Sequence, residues 1–68
     1  MSYVISFNDE TEKFVMDGYE ENFISSHLWT IAVKEGLESA FVSTISESHA
    51  LSMLLNAGIE IELVDIDW

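Results

Sequence analysis

The sequence predicts an α+β fold: a single small domain over residues 1–68, with one mostly antiparallel four-stranded sheet and two helices packed on it in the order ββαβαβ. Three observations predict this class. Short β-branched apolar runs lie near the amino terminus, two segments carry apolar residues at helical spacing, and apolar and acidic residues alternate near the carboxyl terminus. With 68 residues, of which 49% are apolar, the chain has room for one core and too much apolar content for disorder.

The first two strands are predicted to form a hairpin. Residues 3–7 are a short apolar run, the polar cluster 8–12 follows, and residues 14–16 are a second apolar run. Two such runs joined by a short polar loop are typical of a β-hairpin. Asp17 and Gly18 then supply a turn signal before an amphipathic segment begins.

The first helix is predicted to begin at residue 22 or 25 and to end at residue 35. Ile24, Leu28, Ile31 and Ala32 fall on one helical stripe, and Gly36 follows as a residue type that commonly ends helices. Residues 39–45 have no helical period, so their β-branched content predicts a buried third strand.

The second helix is predicted over residues 47–57. Ser46 is a preferred N-cap residue, and Glu47 places a negative charge in the first turn, where it complements the helix dipole. Gly58 stands just beyond the last turn. The predicted buried face consists of Ala50, Leu51, Leu54 and Leu55.

The fourth strand carries the clearest pattern. From residue 59 onward acidic and apolar residues alternate, and the phase of the alternation shifts by one between Leu63 and Val64. One inserted residue of this kind is typical of a β-bulge. With a bulge, all four acids of this segment lie on one face of the strand, whereas without it they divide between two faces.

Charge is the most informative functional feature of the chain. Thirteen Asp and Glu residues against two basic residues give a formal net charge of −11 at pH 7. A soluble designed domain needs a charge of only about 2 to 8, and a net charge of −11 equals that of about 19 Å of DNA duplex. Such a charge repels nucleic acid and membrane surfaces and attracts basic ones. We therefore expect a basic protein partner, no direct binding to nucleic acid and no membrane association.

The acidic residues are concentrated rather than spread. Of the thirteen, only Glu35, Glu38 and Glu47 lie outside two turns and the last strand, which leaves ten. Acids that alternate along a strand are about 6.6–6.8 Å apart on one face, so a row of them would imitate a line of backbone phosphates. The candidate partner-binding residues are Asp9, Glu10, Glu12, Asp17, Glu20, Glu21, Glu60, Glu62, Asp65, Asp67 and Trp68.

Ordinary structural explanations compete with a binding role for these residues. The strand acids suit the solvated positions of a half-buried strand, or an edge that charge protects from aggregation. Acids in turns need no functional explanation, because loops are normally polar. Trp68 suits an interface anchor or packing onto its own core, and Trp29 is predicted to be a core residue beside the helical stripe.

The sequence contains no motif typical of an enzyme, a metal site or a cofactor site. It lacks the alternating acids and glycine of a calcium-binding loop, and with no cysteine it has neither disulfides nor thiolate metal ligands. His27 and His49 titrate nearest to neutrality and are predicted to lie at the surface or boundary of the helices. We expect no enzymatic activity, no cofactor and no specific metal site.

The leading functional hypothesis is an inhibitor that presents carboxylates where a nucleic-acid-binding protein binds phosphates. The length of the chain, the alternation in residues 60–62 and 65–67, and the acid clusters in residues 9–12 and 17–21 resemble small acidic DNA mimics of phages, in particular anti-CRISPR proteins. That resemblance implies binding to the DNA-recognising surface of a CRISPR effector complex. It implies no role for any individual position.

Two other hypotheses stay open. An acidic interaction module, antitoxin-like or subunit-like, would bind a basic protein without mimicking DNA, and a homo-oligomeric structural protein would associate through apolar strands and Trp68. An acyl carrier is disfavoured because the Asp-Ser-Leu attachment site is absent. The protein is expected to be a monomer or a small homo-oligomer.

The expected location is the cytoplasm, which is the host cytoplasm if the protein is phage-encoded. Residues 1–7 carry no basic segment followed by a long apolar one, and no apolar run approaches the ~20 residues of a bilayer span. The absence of cysteine fits a reducing interior.

Overall fold

A computed structural model describes residues 2–67 of the chain. Four strands and three helices are assigned within that range, and three strands precede all of the helices. The elements are β1 (Ser2–Asn8), β2 (Lys13–Met16), β3 (Tyr19–Glu21), α1 (Ile24–Lys34), α2 (Glu38–Val42), α3 (Glu47–Asn56) and β4 (Glu60–Val64). None of the helices between residues 2 and 67 has the length and apolar content that crossing a bilayer requires.

The α+β class is confirmed, but the sheet is mixed rather than mostly antiparallel. Its strand order is β3-β2-β1-β4, in which β1 pairs antiparallel with β2 and β2 antiparallel with β3. The last strand lies parallel to the first, from the pair Ser2 and Glu60 to the pair Ser6 and Val64. Because residues 24–56 contain helices and no strand, the chain returns to the sheet only once, beside β1.

The predicted strand at residues 39–45 is wrong, because this segment contains the short helix α2. Leu37 and Phe41 are four residues apart, so a helical turn places both against the core, and the Phe41 amide donates to the Leu37 carbonyl at 2.9 Å. The β-branched residues that suggested a buried strand lie outside: Val42 is exposed, and Ile45 is 89% exposed. The segment therefore adds a third helix instead of a strand.

Both predicted helices are confirmed as α1 and α3. The predicted stripe of α1 is buried, and Gly36, at φ 73°, lets the Leu37 amide donate to the Ala32 carbonyl at 2.8 Å, which ends the helix. At the start of α3 the Ser46 side chain accepts a hydrogen bond from the His49 amide at 3.1 Å, as an N-cap residue does.

One face of the sheet packs against the helices and the other lies open. Tyr3 and Ile5 of β1 are buried together with Leu28, Ile31 and Leu54 of the helices. Since strand side chains alternate between faces, Ser2, Val4 and Ser6 lie on the opposite face, and Val4 is half exposed. The open face also carries Val15, Glu20, Glu60, Glu62 and Val64, as the strand register requires.

Of the two alternatives for Leu63 and Val64, the structure shows the one without a β-bulge. The parallel register with β1 runs without interruption through both residues, and β4 ends at Val64. Asp65 then adopts a left-handed backbone with φ 58°, after which Ile66 packs against the core. The shift of phase in the sequence therefore marks the end of the strand, because a left-handed residue turns the next apolar side chain back inward.

Candidate acidic interface

All ten acids predicted as binding residues are exposed, but the fold divides them among three places. Six lie at or above one end of the sheet, two lie on the open face of β4, and two line a cleft between the sheet and α1. The four acids of the last segment therefore do not form one row on a single face of β4, which was the alternative that required a bulge. Trp68, the remaining candidate, lies outside the described residues.

The largest group forms where β1 ends. Because β4 runs parallel to β1 and pairs with it up to Ser6 and Val64, residues 65–67 continue toward the same end as the loop of residues 9–12. The start of α3 also lies there, since Asp67 shares a shallow depression of about 470 Å³ with Ser46, Glu47 and Ser48. We call this group the acidic end, and its members are Asp9, Glu10, Glu12, Glu20, Glu47, Asp65 and Asp67.

The loop of the acidic end has a defined backbone. The Asn8 side-chain oxygen accepts from the Glu10 amide at 2.9 Å, and the Glu12 amide donates to the Asn8 carbonyl at 2.7 Å. Thr11 Oγ1 donates to Glu20 Oε2 at 3.1 Å, which ties the loop to β3. These hydrogen bonds order the loop that carries the carboxylates of residues 9–12.

Two acids of the acidic end stand in left-handed backbone conformations. Glu12 has φ 57° and Asp65 has φ 58°. A left-handed conformation costs a residue with a Cβ roughly 1–2 kcal/mol, and glycine or asparagine adopts it more readily than glutamate. At position 12 the chain therefore keeps an acidic side chain where local backbone energy favours another residue type, whereas aspartate at position 65 is among the types that adopt this conformation more readily.

Glu47 is the member of the acidic end that sequence reasoning missed. In the sequence it lies outside the acid clusters and opens a helix, where the helix dipole alone explains an acidic residue. Only the folded chain brings it beside Asp67. No local pattern in the sequence signals that neighbourhood, because it depends on β4 returning beside β1.

Glu60 and Glu62 occupy a different surface. Both are exposed on β4, where they pair with Ser2 and Val4 of β1. Two residues apart on one face, they are about 6.6–6.8 Å from each other along the strand. They form a short acidic border on the open face of the sheet, toward the end opposite to the acidic end.

The remaining two predicted acids, Asp17 and Glu21, line a cleft of about 560 Å³ between β2, β3 and α1. Two aromatic side chains, Tyr19 and Trp29, also line it. Tyr19 is 73% exposed, and Trp29 is 40% exposed, so the core prediction for Trp29 is wrong. Their surface positions were missed because Trp29 adjoins the apolar stripe of α1, and β3 has no apolar alternation to identify it as a strand.

The two histidines have structural partners. His27, predicted at the surface or boundary, is buried with only 2% of its surface exposed, and its Nε2 donates to the Phe14 carbonyl at 2.8 Å. This bond joins α1 to β2. His49 lies in the first turn of α3, and its Nδ1 accepts from the Ile45 amide at 3.3 Å.

One titratable group in the covered face departs from its ordinary behaviour. The Tyr3 hydroxyl donates to Glu35 Oε2 at 2.7 Å, joining β1 to the end of α1. This hydrogen bond, burial, and the negative charges of Glu35 and Asp17 all raise the pKa of Tyr3 above its usual value. Each favours the neutral phenol, so the bond is a structural link between sheet and helix.

Across the part of the chain that the structure describes, no three His, Asp or Glu side chains meet as a metal site requires. The carboxylates instead line the surface as separate acceptors for hydrogen-bond donors and cations. In comparisons with known proteins, no family model, no curated protein and no solved structure matches this chain.

Proposed function

We propose that this protein is a non-enzymatic inhibitor whose acidic end occupies the DNA-binding surface of a basic protein complex in the cytoplasm. The observation that carries the proposal is the gathering of seven carboxylates from β3, α3 and two other segments at one end of the sheet. A CRISPR effector is the class of target that the resemblance to anti-CRISPR proteins implies.

The density of charge supports this proposal. The molecule is 33 Å long in its largest dimension, and a DNA duplex of that length carries about 19 charges. The net charge of the whole chain is −11, so its average linear charge is somewhat more than half that of duplex DNA. Of the two lysines, Lys13 begins β2 near the acidic end, and Lys34 lies in the last turn of α1. The acidic end therefore keeps a strong excess of negative charge.

The order of the acidic end also supports a binding role. The loop of residues 9–12 is tied to β3 through Thr11 and Glu20, and residues 65–67 are anchored by the packing of Ile66. A surface that is ordered before binding loses less conformational entropy when a partner docks. The left-handed conformation of Glu12 adds to this argument, because strained backbone positions cluster at functional sites.

The test is capture of binding partners from a lysate, followed by competition with excess duplex DNA. We expect a DNA-binding protein or complex to be captured, duplex DNA to displace it, and high salt to weaken it steeply, because both ligands neutralise the same basic residues. Capture of a protein without nucleic-acid function, unaffected by DNA, would contradict the proposal and favour the acidic interaction module.

Charge reversal locates the surface. Glu10→Lys at the acidic end should weaken binding of the captured partner about three- to tenfold, because a favourable exposed contact becomes a repulsive one. Glu38→Lys is the matched control, since Glu38 is equally an exposed glutamate but opens α2. Equal losses in both variants would indicate nonspecific attraction to net charge and not a defined acidic end.

A further inference from the structure

The cleft between the hairpin β2–β3 and helix α1 is concave and lined in part by aromatic side chains, which distinguishes it from the solvated acidic surface. It encloses about 560 Å³, within the range of small-ligand sites, and its walls come from both layers of the fold. Tyr19 of β3 and Trp29 of α1 contribute aromatic surface, and Met16 contributes an apolar side chain.

One of the two aromatic side chains of the cleft is held in place by packing. Trp29 packs edge-on against Phe41 of α2, with ring centroids 5.4 Å apart, so its orientation is fixed from the side of the helices. Tyr19 pairs with Met16 across the two strands and is 73% exposed. The Trp29 indole thus offers fixed aromatic surface to a ligand at little cost in side-chain entropy, and the exposed Tyr19 ring is accessible beside it.

The polar groups of the cleft include hydrogen-bond acceptors beside the donors of Tyr19, Trp29 and Lys34. Asp17 and Glu21 contribute exposed carboxylates. Thr30 Oγ1 donates its proton to the Ser26 carbonyl at 3.1 Å, which leaves the hydroxyl lone pairs to accept. These carboxylates and this hydroxyl can accept hydrogen bonds from a ligand group that only donates.

His27 adds a further acceptor at the buried side of the cleft. Its Nε2 faces a carbonyl oxygen and must carry the proton, so Nδ1 of the neutral ring is an acceptor. Within residues 2–67 no hydrogen bond to Nδ1 is formed, and no buried side-chain nitrogen or oxygen there lacks a partner. Nδ1 therefore keeps access to solvent, and His27 lines the cleft.

We infer that this cleft binds an arginine side chain of the basic partner, an inference that rests on the proposed function. The guanidinium group has five N–H donors and no acceptor, and its plane stacks on aromatic rings, which a lysine ammonium does not match. Two carboxylates outnumber Lys34, the one cation among the lining residues. Arginine, tyrosine and tryptophan are also the residues that dominate binding energy at protein interfaces.

The experiment titrates the isolated protein with N-acetyl-arginine amide and follows the assigned NMR signals. The neutral isostere N-acetyl-citrulline amide is the matched probe. We expect the arginine compound to shift the signals of Tyr19, His27 and the Trp29 indole, and the citrulline compound to shift them at least threefold less. Equal shifts with both compounds, or shifts confined to the acidic end, would overturn the inference.

Variants give the second readout. Tyr19→Ala should weaken binding of the arginine compound about two- to fivefold, as the loss of a cation–π contact does. Phe23→Ala is the matched control, because Phe23 is 67% exposed and is not among the residues that line the cleft. Lys34→Met should strengthen binding about twofold or more, because it removes the opposing charge. Unchanged binding in Tyr19→Ala or weaker binding in Lys34→Met would contradict an arginine site.

Binding measurements with the captured partner distinguish failure of this inference from failure of the proposed function. Binding that is lost in Glu10→Lys and unchanged in Tyr19→Ala would leave the proposed function intact and overturn the arginine site. Binding of the arginine compound to the cleft, combined with a partner that duplex DNA does not displace, would overturn DNA mimicry and leave the arginine site intact.

Discussion

Two regions of the sheet differ in burial and in their effect on stability. One is the face that the helices cover, and the other is the acidic end. In the covered face, Ile5, Leu28 and Leu54 are fully buried, and the Tyr3 hydroxyl is bonded to Glu35. In the acidic end, seven carboxylates are exposed, and two of them belong to residues in left-handed backbone conformations. The covered face accounts for stability, whereas the acidic end lowers stability through repulsion and strain, which is the expected signature of a surface kept for binding.

The largest effect is expected in the covered face. Leu28→Ala should lower the free energy of unfolding by about 2–5 kcal/mol, because it removes buried methyl groups and leaves a cavity. Val4→Ala, on the open face of the sheet, should cost less than about 1 kcal/mol. Urea denaturation followed by circular dichroism measures both. A similar loss in the two variants would mean that the open face is also covered, for instance by a second copy of the chain.

The hydrogen bond of Tyr3 should have the next largest effect. Tyr3→Phe should cost about 1–2 kcal/mol of unfolding free energy near neutral pH, because the Glu35 carboxylate loses its donor. The pKa of Tyr3 is raised on folding, so the stabilisation is fully present below the unfolded pKa near 10. It is lost as the pH rises through the folded value.

Denaturation curves between pH 7 and about pH 11 check this pH dependence. The difference in stability between wild type and Tyr3→Phe should shrink toward alkaline pH. Tyr19→Phe is the matched control, because Tyr19 is largely exposed. A constant difference across the range would show that the Tyr3 hydroxyl contributes through packing and not through its proton.

The sequence predicts the elements whose interactions join residues close together along the chain. It predicts less well the features that depend on contacts between distant segments. The helices α1 and α3 and the first hairpin depend on neighbours a few residues apart, so apolar spacing and the cap at Ser46 predict them. Residues 39–45 were misassigned because Val42 and Ile45 suggest a strand, while the turn from Leu37 to Phe41 packs better as a helix. In this segment tertiary packing outweighs the strand propensity of the β-branched residues.

The sequence predicts which residues are exposed acids, but it does not predict how the fold groups them. The ten acids are exposed as expected, yet their grouping depends on the parallel pairing of β4 with β1, between residues nearly sixty positions apart. No local pattern records such a pairing, so the sequence does not place Glu47 beside Asp67 and leaves open whether the acids of the last segment share one face. The cleft was missed for the same reason, because Tyr19 and Trp29 meet only when β3 packs beside α1.

The smallest effect is expected in the acidic end and has the opposite sign. Glu12→Gly should raise the free energy of unfolding by about 0.5–1 kcal/mol, because glycine adopts the left-handed conformation without strain and one repelling charge is removed. Glu10→Gly is the matched control, since Glu10 has no left-handed backbone and glycine there should be neutral or destabilising. Destabilisation by Glu12→Gly would mean that the loop depends on the Glu12 side chain for its structure.

The most direct test of the central claim is a hydrogen-exchange footprint of the protein bound to its captured partner. The account predicts slower amide exchange in the loop of residues 9–12, in residues 65–67 and at the start of α3, with little change on the open face around Val4. Protection confined to the open face or to α2, with residues 9–12 and 65–67 exchanging as in the free protein, would contradict the acidic end as the binding surface.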